Sequence, residues 1–302
     1  MTDTFDLIVV GAGIAGLNAA QQALKLGLRT AIMEDKLHGG LVMNINDLDG
    51  PISGSGMELA MNLLYEIRNM GVVDIDSAAT AIVQNGSELV VQSDEASFSA
   101  RAIIVASGAK LRKLGIPGET EFENRGVSQC ADCDGPMFHD QDVMVVGGGD
   151  SAVQEALVLS EFARQVYLVN RGKRLRAKPH LVNQLSTHAN IQILWGKEAQ
   201  SLHGTTALET VTLKNNEDGS QLEIDCYGFF VYVGLEPVCD FVPENVDRDP
   251  AGFLRTDANM STSLPGLFAI GAVRSGYSGL LADAQIEGIT AANGANSTIH
   301  RS

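Results

Sequence analysis

Positive charge is scarce in this chain, with 21 Lys and Arg against 37 Asp and Glu and a formal net charge of -16 over 302 residues. Such a balance repels nucleic acid and anionic membrane surfaces at long range, so neither is an expected partner. Cysteine is scarce too, and four in a chain of this length are too few for a disulfide framework. Long apolar runs are missing. The opening stretch MTDTFDLIVVGAG carries no basic segment ahead of its apolar residues and breaks into glycines at Gly11, which suits neither a signal peptide nor a membrane span. The expected location is the cytoplasm. Histidine is limited to His38, His139, His180, His188, His203 and His300, scattered singly, so no metal site is expected. What the chain does have is a hydrophobic content of 45%, ample for a buried core, and a length suited to two domains.

Two stretches share one pattern. In the first, an apolar strand over 7–10 runs into Gly11, Gly13 and Gly16, then a helix-period stretch to Leu26, then a second strand over 30–33 that ends at Glu34. The first glycine permits a tight turn, the second lets backbone N–H groups approach a pyrophosphate, and the third lets helix pack on strand. Strand, glycines, helix, strand and acid in that order predict a dinucleotide fold. The carboxylate of Glu34 suits a ribose with free hydroxyls and would repel a 2′-phosphate. The second stretch has a strand over 143–146, then Gly147, Gly149 and Ala152, a helix to about Phe162, and a strand over 166–169. Asn170 stands to Gly147 as Glu34 stands to Gly11, so the acid is gone from the second site. Arg171, Lys173, Arg174, Arg176 and Lys178 crowd the following residues, a pattern suited to a 2′-phosphate. Two such units in one chain imply two nucleotides that exchange a hydride. The reading is FAD at the first and NADPH at the second. No further internal repeat and no low-complexity tract occurs.

Between the two units lies SQCADCDGPMF, with Cys130 and Cys133 three apart and Asp134 directly after. A structural disulfide, half a zinc site and a redox-cycling dithiol all use such a pair. Zinc would need a second pair of ligands, and a reducing compartment disfavours a purely structural bridge, so redox work remains. A flavin accepts a hydride and passes two electrons to a disulfide, which accounts for all three parts sharing one chain. Cys226 and Cys239 have no CxxC partner and read as buried apolar residues.

CADCDGP followed by GGGDSA, with an early GAGIAG and a late GLFAIGA, resembles the low-molecular-weight thioredoxin reductases and the related C-terminal portion of alkyl hydroperoxide reductase flavoproteins. GGLVMN, IIVASGAKLRKLGIPGE and GFFVYVGLEP extend the resemblance over essentially the whole chain. It implies an α/β fold of two Rossmann-like dinucleotide-binding domains, the second inserted into the first: FAD-binding segments at 1–114 and 242–302, and an NADPH-binding domain with the CxxC at 115–241. It implies a homodimer, and thioredoxin or a thioredoxin-like protein as the partner. By the same resemblance Cys133 lies against the flavin, Cys130 attacks the substrate disulfide, and Asp134 handles protons. Gly40, Leu41, Asn46, Ser107, Gly108, Gly271 and Ala272 then join Gly11, Gly13, Gly16 and Glu34 around FAD, while Asp150 and Ser151 join Gly147, Gly149, Arg171 and Arg176 around NADPH.

The chain departs from the family at three places. The family ends its last FAD-binding strand with Gly-Asp, and here the matching residue is Ala272; an Arg-Gln pair used beside the flavin has no counterpart in GYSGLLADAQ; and His-Arg-Arg reads Asn170-Arg171-Gly172, with the later arginine kept as Arg176. These departures touch flavin and donor handling and leave the dithiol intact. The expected activity is an FAD-dependent disulfide reductase. A ferredoxin-linked reductase, a dithiol oxidase and a regulatory nucleotide-binding module without turnover are the alternatives.

Overall fold

A computed structural model describes residues 4–44, 48, 54–86 and 88–301. The chain forms two compact units, one from residues 1–110 with 236–302 and the other from Leu111–Leu235.

In the first unit, strand β1 (Thr4–Val10) leads into helix α1 (Ile14–Lys25) and strand β2 (Thr30–Met33), followed by α2 (Gly56–Asn69) and β3 (Val73–Ile75). Strands β4 (Ala81–Asn85), β5 (Glu88–Gln92) and β6 (Ser97–Val105) complete the first pass. The sheet runs β3-β2-β1-β6-β5-β4, parallel from β3 to β6 and antiparallel beyond. A central parallel strand is covered on both faces, which requires a continuous apolar run. The LIVV of β1 supplies it. Leu7 and Val9 join the core formed with α1 and α2, while Ile8 and Val10 join a second core on the opposite face, as the period of two demands. Helix α2 starts on a capping box, in which Ser55 Oγ accepts the Glu58 N–H at 3.2 Å and Glu58 Oε2 accepts the Ser55 N–H at 3.0 Å.

The chain leaves this unit within β7 (Ala109–Leu111). In the second unit, β8 (Val127–Ser128), α3 (Ala131–Asp134), β9 (Asp142–Gly147), α4 (Asp150–Ser160), β10 (Gln165–Asn170), α5 (Pro179–Leu185) and β11 (Ile191–Trp195) precede a three-stranded antiparallel sheet. That sheet is made of β12 (Lys197–Gly204), β13 (Leu208–Asn215) and β14 (Gln221–Asp225). Strand β15 (Gly228–Tyr232) then joins the main sheet, whose order is β11-β10-β9-β15-β8, all parallel. Val143 and Val145 pack under α4, and Met144 and Val146 face the antiparallel sheet. The return passes through β16 (Leu235–Pro237) to β17 (Leu267–Ala269), which pairs with β6, and to α6 (Leu281–Arg301), which packs on α1.

The units divide slightly earlier than the expected 114/115 and 241/242. Leu111 and Leu114 pack into cores of the second unit, and Cys239, Phe241 and Val242 into a core of the first. Packing partners set the division, and the composition of the chain there carries no mark of it. Among the described residues no helix is long and apolar enough to cross a membrane.

Candidate functional site

The two glycine turns are built alike. Gly11 has φ +108°, and a Cβ there would lie 2.4 Å from the Ala106 carbonyl oxygen at the end of β6. Gly147 has φ +152°, and its Cβ would lie 2.4 Å from the Tyr232 carbonyl oxygen at the end of β15. In each unit the turn is pressed against the neighbouring parallel strand, which only glycine permits. The next motif glycines, Gly13 and Gly149, have nothing within 4 Å of a built Cβ. Each is the N-cap of its helix and has no side chain capping it. The first N–H groups of α1 and α4 therefore have no side-chain cap, the arrangement that accepts a pyrophosphate.

In the first unit several of the predicted residues lie around the glycine turn. Glu34 Oε2 accepts the Ala12 N–H at 2.9 Å, which fixes its carboxylate beside the glycine turn. Gly39 bridges to Gly13, and a Cβ on Gly40 would lie 3.3 Å from Gly13 Cα. Leu41 is exposed. Ser107 Oγ and the Gly108 carbonyl both bond the Val238 backbone, just past the end of β6. Gly271 lies against the first turn of α1, since its Cβ would be 3.1 Å from Ala15 Cβ. Gly16 is buried in the helix–strand contact, and Asn46 lies outside the described residues. An open glycine cradle, an uncapped helix start and a carboxylate beside it fit FAD.

Ala272 is half-buried beside Gly271 and brings no carboxylate. One arrives from α6 instead: Glu287 accepts the Gly271 N–H at 2.7 Å and pairs with Arg274 Nη2 at 2.7 Å. Both side chains are largely buried, and Arg274 Nε is left without a hydrogen-bond partner. Ser275 bonds Asp249, and Tyr277 bonds the Leu280 carbonyl. Sequence reasoning missed Glu287, which sits inside a long helix with no local signal.

In the second unit the basic segment folds back on the glycine turn. The Arg176 and Ala177 N–H groups donate to the Gly148 carbonyl at 2.6 and 3.2 Å, and the Lys178 N–H donates to Asp150 Oδ1 at 2.8 Å. Asn170 Nδ2 donates to the Gly172 and Arg174 carbonyls, so this residue shapes the loop. The result is a pocket of about 430 Å³ lined by Asn170, Arg171, Gly172, Lys173, Arg174 and Arg176. Among the described residues Lys173 pairs with Glu217 and Lys178 with Asp150, whereas Arg171, Arg174 and Arg176 make no ion pair. Ser151 is exposed in the first turn of α4. Free guanidinium groups beside the end of β10 fit a nucleotide that carries a 2′-phosphate.

Cys130 and Cys133 are joined in a disulfide, with Cα atoms 5.3 Å apart, in the short turn of α3. Cys130 caps the turn, and its Sγ accepts the Cys133 N–H at 3.2 Å. Cys130 is half-buried and Cys133 exposed. Asp134 Oδ2 accepts the Ser128 hydroxyl at 2.6 Å, and Ser128 Oγ accepts the Cys130 N–H at 3.1 Å. Ser128 thereby ties the carboxylate to the backbone of the first cysteine. A pocket of about 250 Å³ opens here, with Arg112, Gln129, Cys130 and Asp134 in its wall. Two further groups escaped the sequence reading: the Ala131 N–H donates to Glu155 Oε2 at 3.1 Å, and the Tyr232 hydroxyl donates to the Gln129 carbonyl at 3.1 Å. Their only sequence trace is that both belong to elements of the second nucleotide unit.

The family of pyridine nucleotide-disulphide oxidoreductases matches the chain over residues 5–294. A thioredoxin reductase of Treponema pallidum is 36% identical, with 99% of this chain and 98% of that protein covered. One of Bacillus subtilis is 33% identical over 89% of this chain and 87% of its own length. Among solved structures, the Lactococcus lactis thioredoxin reductase in its FR conformation superposes with a TM-score of 0.90 at 34% identity, covering 99% of this chain and 100% of that one. With the family matched almost end to end and thioredoxin reductases aligned along the full fold, the chain belongs to the pyridine nucleotide-disulphide oxidoreductases, in the branch of the low-molecular-weight thioredoxin reductases.

Proposed function

We propose that the chain passes electrons from NADPH through FAD and the Cys130–Cys133 pair to the disulfide of thioredoxin or a thioredoxin-like protein. The observation that carries this reading is the disulfide itself, held in a solvent-reaching turn of a nucleotide-fold unit with a carboxylate tied to its first cysteine. Bound FAD supplies two-electron chemistry between a nicotinamide and a disulfide. The chain's own residues bind, orient and move protons. Gly11, Gly13 and the start of α1 hold the pyrophosphate of FAD, with Glu34 on its ribose. Gly147, Gly149 and the start of α4 hold that of NADPH, with Arg171 and Arg176 on the 2′-phosphate. We assign residues 1–110 with 236–302 to FAD, and 111–235 to NADPH and the dithiol.

Of the two cysteines, Cys133 exchanges with the flavin and Cys130 attacks the substrate. A thiolate is the nucleophile, and the leaving thiolate of the substrate needs a proton from a nearby acid. Asp134 supplies it, and its tie through Ser128 to the Cys130 amide supports that role. A second copy of the chain is the proposed partner in a homodimer. Support comes from Met57, Met61 and Tyr65, spaced four apart on α2 and more than half exposed, a stripe of the kind that a partner covers. We place the enzyme in the cytoplasm, where NADPH and a reducing poise keep such a couple cycling.

Anaerobic addition of NADPH should bleach the flavin absorption of the purified protein, and oxidised thioredoxin should then restore it. Bleaching by neither NADPH nor NADH would favour the alternative in which another donor, such as ferredoxin, feeds the flavin.

A further inference from the structure

The dithiol turn has a second acidic neighbour with no part in the scheme above. Glu155 projects from α4 to the first of the two residues between the cysteines, where its Oε2 accepts the Ala131 N–H at 3.1 Å. Tyr232 of β15 meets the same carboxyl side chain to side chain. Its single hydroxyl proton is directed at the Gln129 carbonyl, 3.1 Å away. While the disulfide is intact, the Ala131 N–H and the Tyr232 side chain both favour the charged carboxylate. Burial pushes the Glu155 carboxyl above its ordinary value, outweighing the Ala131 amide and Tyr232, which lower it, and Asp132 in the same turn adds to the push. The groups that act on it from the packed elements are thus Ala131 and Asp132 of α3 and Tyr232 of β15.

We propose that Glu155 is a positioning residue for the Cys130–Cys133 pair: it clamps the turn through the Ala131 N–H and takes up a proton when the disulfide is reduced. The inference rests on the disulfide reductase reading. In the step, two electrons from the flavin break the S–S bond, one proton goes to one sulfur, the other sulfur remains a thiolate, and a second proton goes to the Glu155 carboxylate. Two electrons and two protons enter, so the charge of the turn is the same before and after. Without that proton a new thiolate would stand beside both Glu155 and Asp132, a like-charge cluster in a partly desolvated turn.

The coupling is read directly from the dithiol equilibrium of the full-length protein, in dithiothreitol redox buffers from pH 5 to 8. Reduced Cys130 and Cys133 are counted by rapid alkylation and mass spectrometry. Glu155→Gln keeps an oxygen for the Ala131 N–H and removes the exchangeable proton. Comparing wild type and variant in the same buffers cancels the proton dependence of the dithiothreitol couple. The ratio of the two equilibrium constants should change roughly tenfold across the window, about 30 mV for a two-electron couple, with the wild type becoming relatively harder to reduce as pH rises. Tyr232→Phe, which removes a group that favours the Glu155 carboxylate, should move the pH dependence of the wild type to higher pH. A flat ratio for Glu155→Gln, or an unaltered dependence in Tyr232→Phe, overturns the proposal and leaves the disulfide reductase reading standing. Failure of the two cysteines to form a reversible couple overturns both.

Discussion

Removing Glu287 tests how the first unit manages without a carboxylate at position 272. The side chain is 7% exposed and that of Arg274 16%, so the pair is shielded from solvent. Glu287→Ala leaves the Gly271 N–H without its acceptor and Arg274 as a buried cation without an anion, in a guanidinium whose Nε is already unpartnered. Breaking a buried pair from one side costs about 3–5 kcal/mol. Replacing both members, Arg274→Met with Glu287→Leu, removes the uncompensated charge and leaves the stranded Gly271 amide, with the Ser275 carbonyl and Thr256 hydroxyl deprived of their Arg274 donor, a cost of about 1–3 kcal/mol. Glu287→Gln retains an acceptor for Gly271 and should lose about 1.5–3 kcal/mol from the charged hydrogen bond. The order of stability is therefore wild type, then the double variant or Gln, then Ala. Equilibrium urea unfolding followed by circular dichroism, with FAD saturating, measures it. Because Gly271 packs on the first turn of α1, Glu287→Ala should also weaken FAD on the order of tenfold, about 1.4 kcal/mol, by flavin fluorescence. A loss under about 1 kcal/mol for Glu287→Ala, or a double variant as unstable as the summed single changes, would refute the shielded-pair reasoning.

Four other outcomes follow from the geometry. Cys133→Ser should still allow NADPH to bleach the flavin while abolishing thioredoxin reduction, and undiminished turnover in that variant would remove the dithiol from the pathway. The ratio of kcat/KM for NADPH over NADH should be on the order of 10 to 100, nearer the lower end with Gly172 in the loop, and Arg176→Ala should cut it by about tenfold (~1.4 kcal/mol); an unchanged ratio would put the 2′-phosphate elsewhere. Ala272→Asp should tighten FAD by up to about 1.5–3 kcal/mol if a ribityl hydroxyl lies within reach, and an unchanged dissociation constant would show that Arg274 and Glu287 have reorganised this loop. Burial pushes the Cys226 thiol up from its ordinary 9.0, so the folded chain keeps this proton where the unfolded chain loses it. Stability should then fall above pH 9 by up to about 1.4 kcal/mol per pH unit from this group, and urea unfolding at pH 7, 9 and 10 should show a shallower fall in Cys226→Ala.

Local chemistry was legible in the sequence wherever the backbone itself demands a residue. The turns at Gly11 and Gly147 announce themselves because a side chain there would strike the next strand, and the apolar runs of β1 and β9 because a strand covered on both faces tolerates nothing else. The α4 helix of the second unit ends at Ser160, two residues short of the expected Phe162, and β2 occupies the predicted residues. Cys130, Cys133 and Asp134 were visible for the same reason, since a dithiol turn is contained within a few residues. Tertiary structure alone decided the groups that surround them. Glu155 reaches Ala131 across 24 residues and Tyr232 reaches Gln129 across 103, because the parallel sheet sets β15 beside β8, which leads into Gln129, while α4 packs on α3. Arg274 finds Glu287 because α6 returns over α1. No spacing rule encodes such partners: a parallel sheet joins elements through long crossovers, so the residues that tune a site come from wherever the chain re-enters it, and only burial without water forces them to pair.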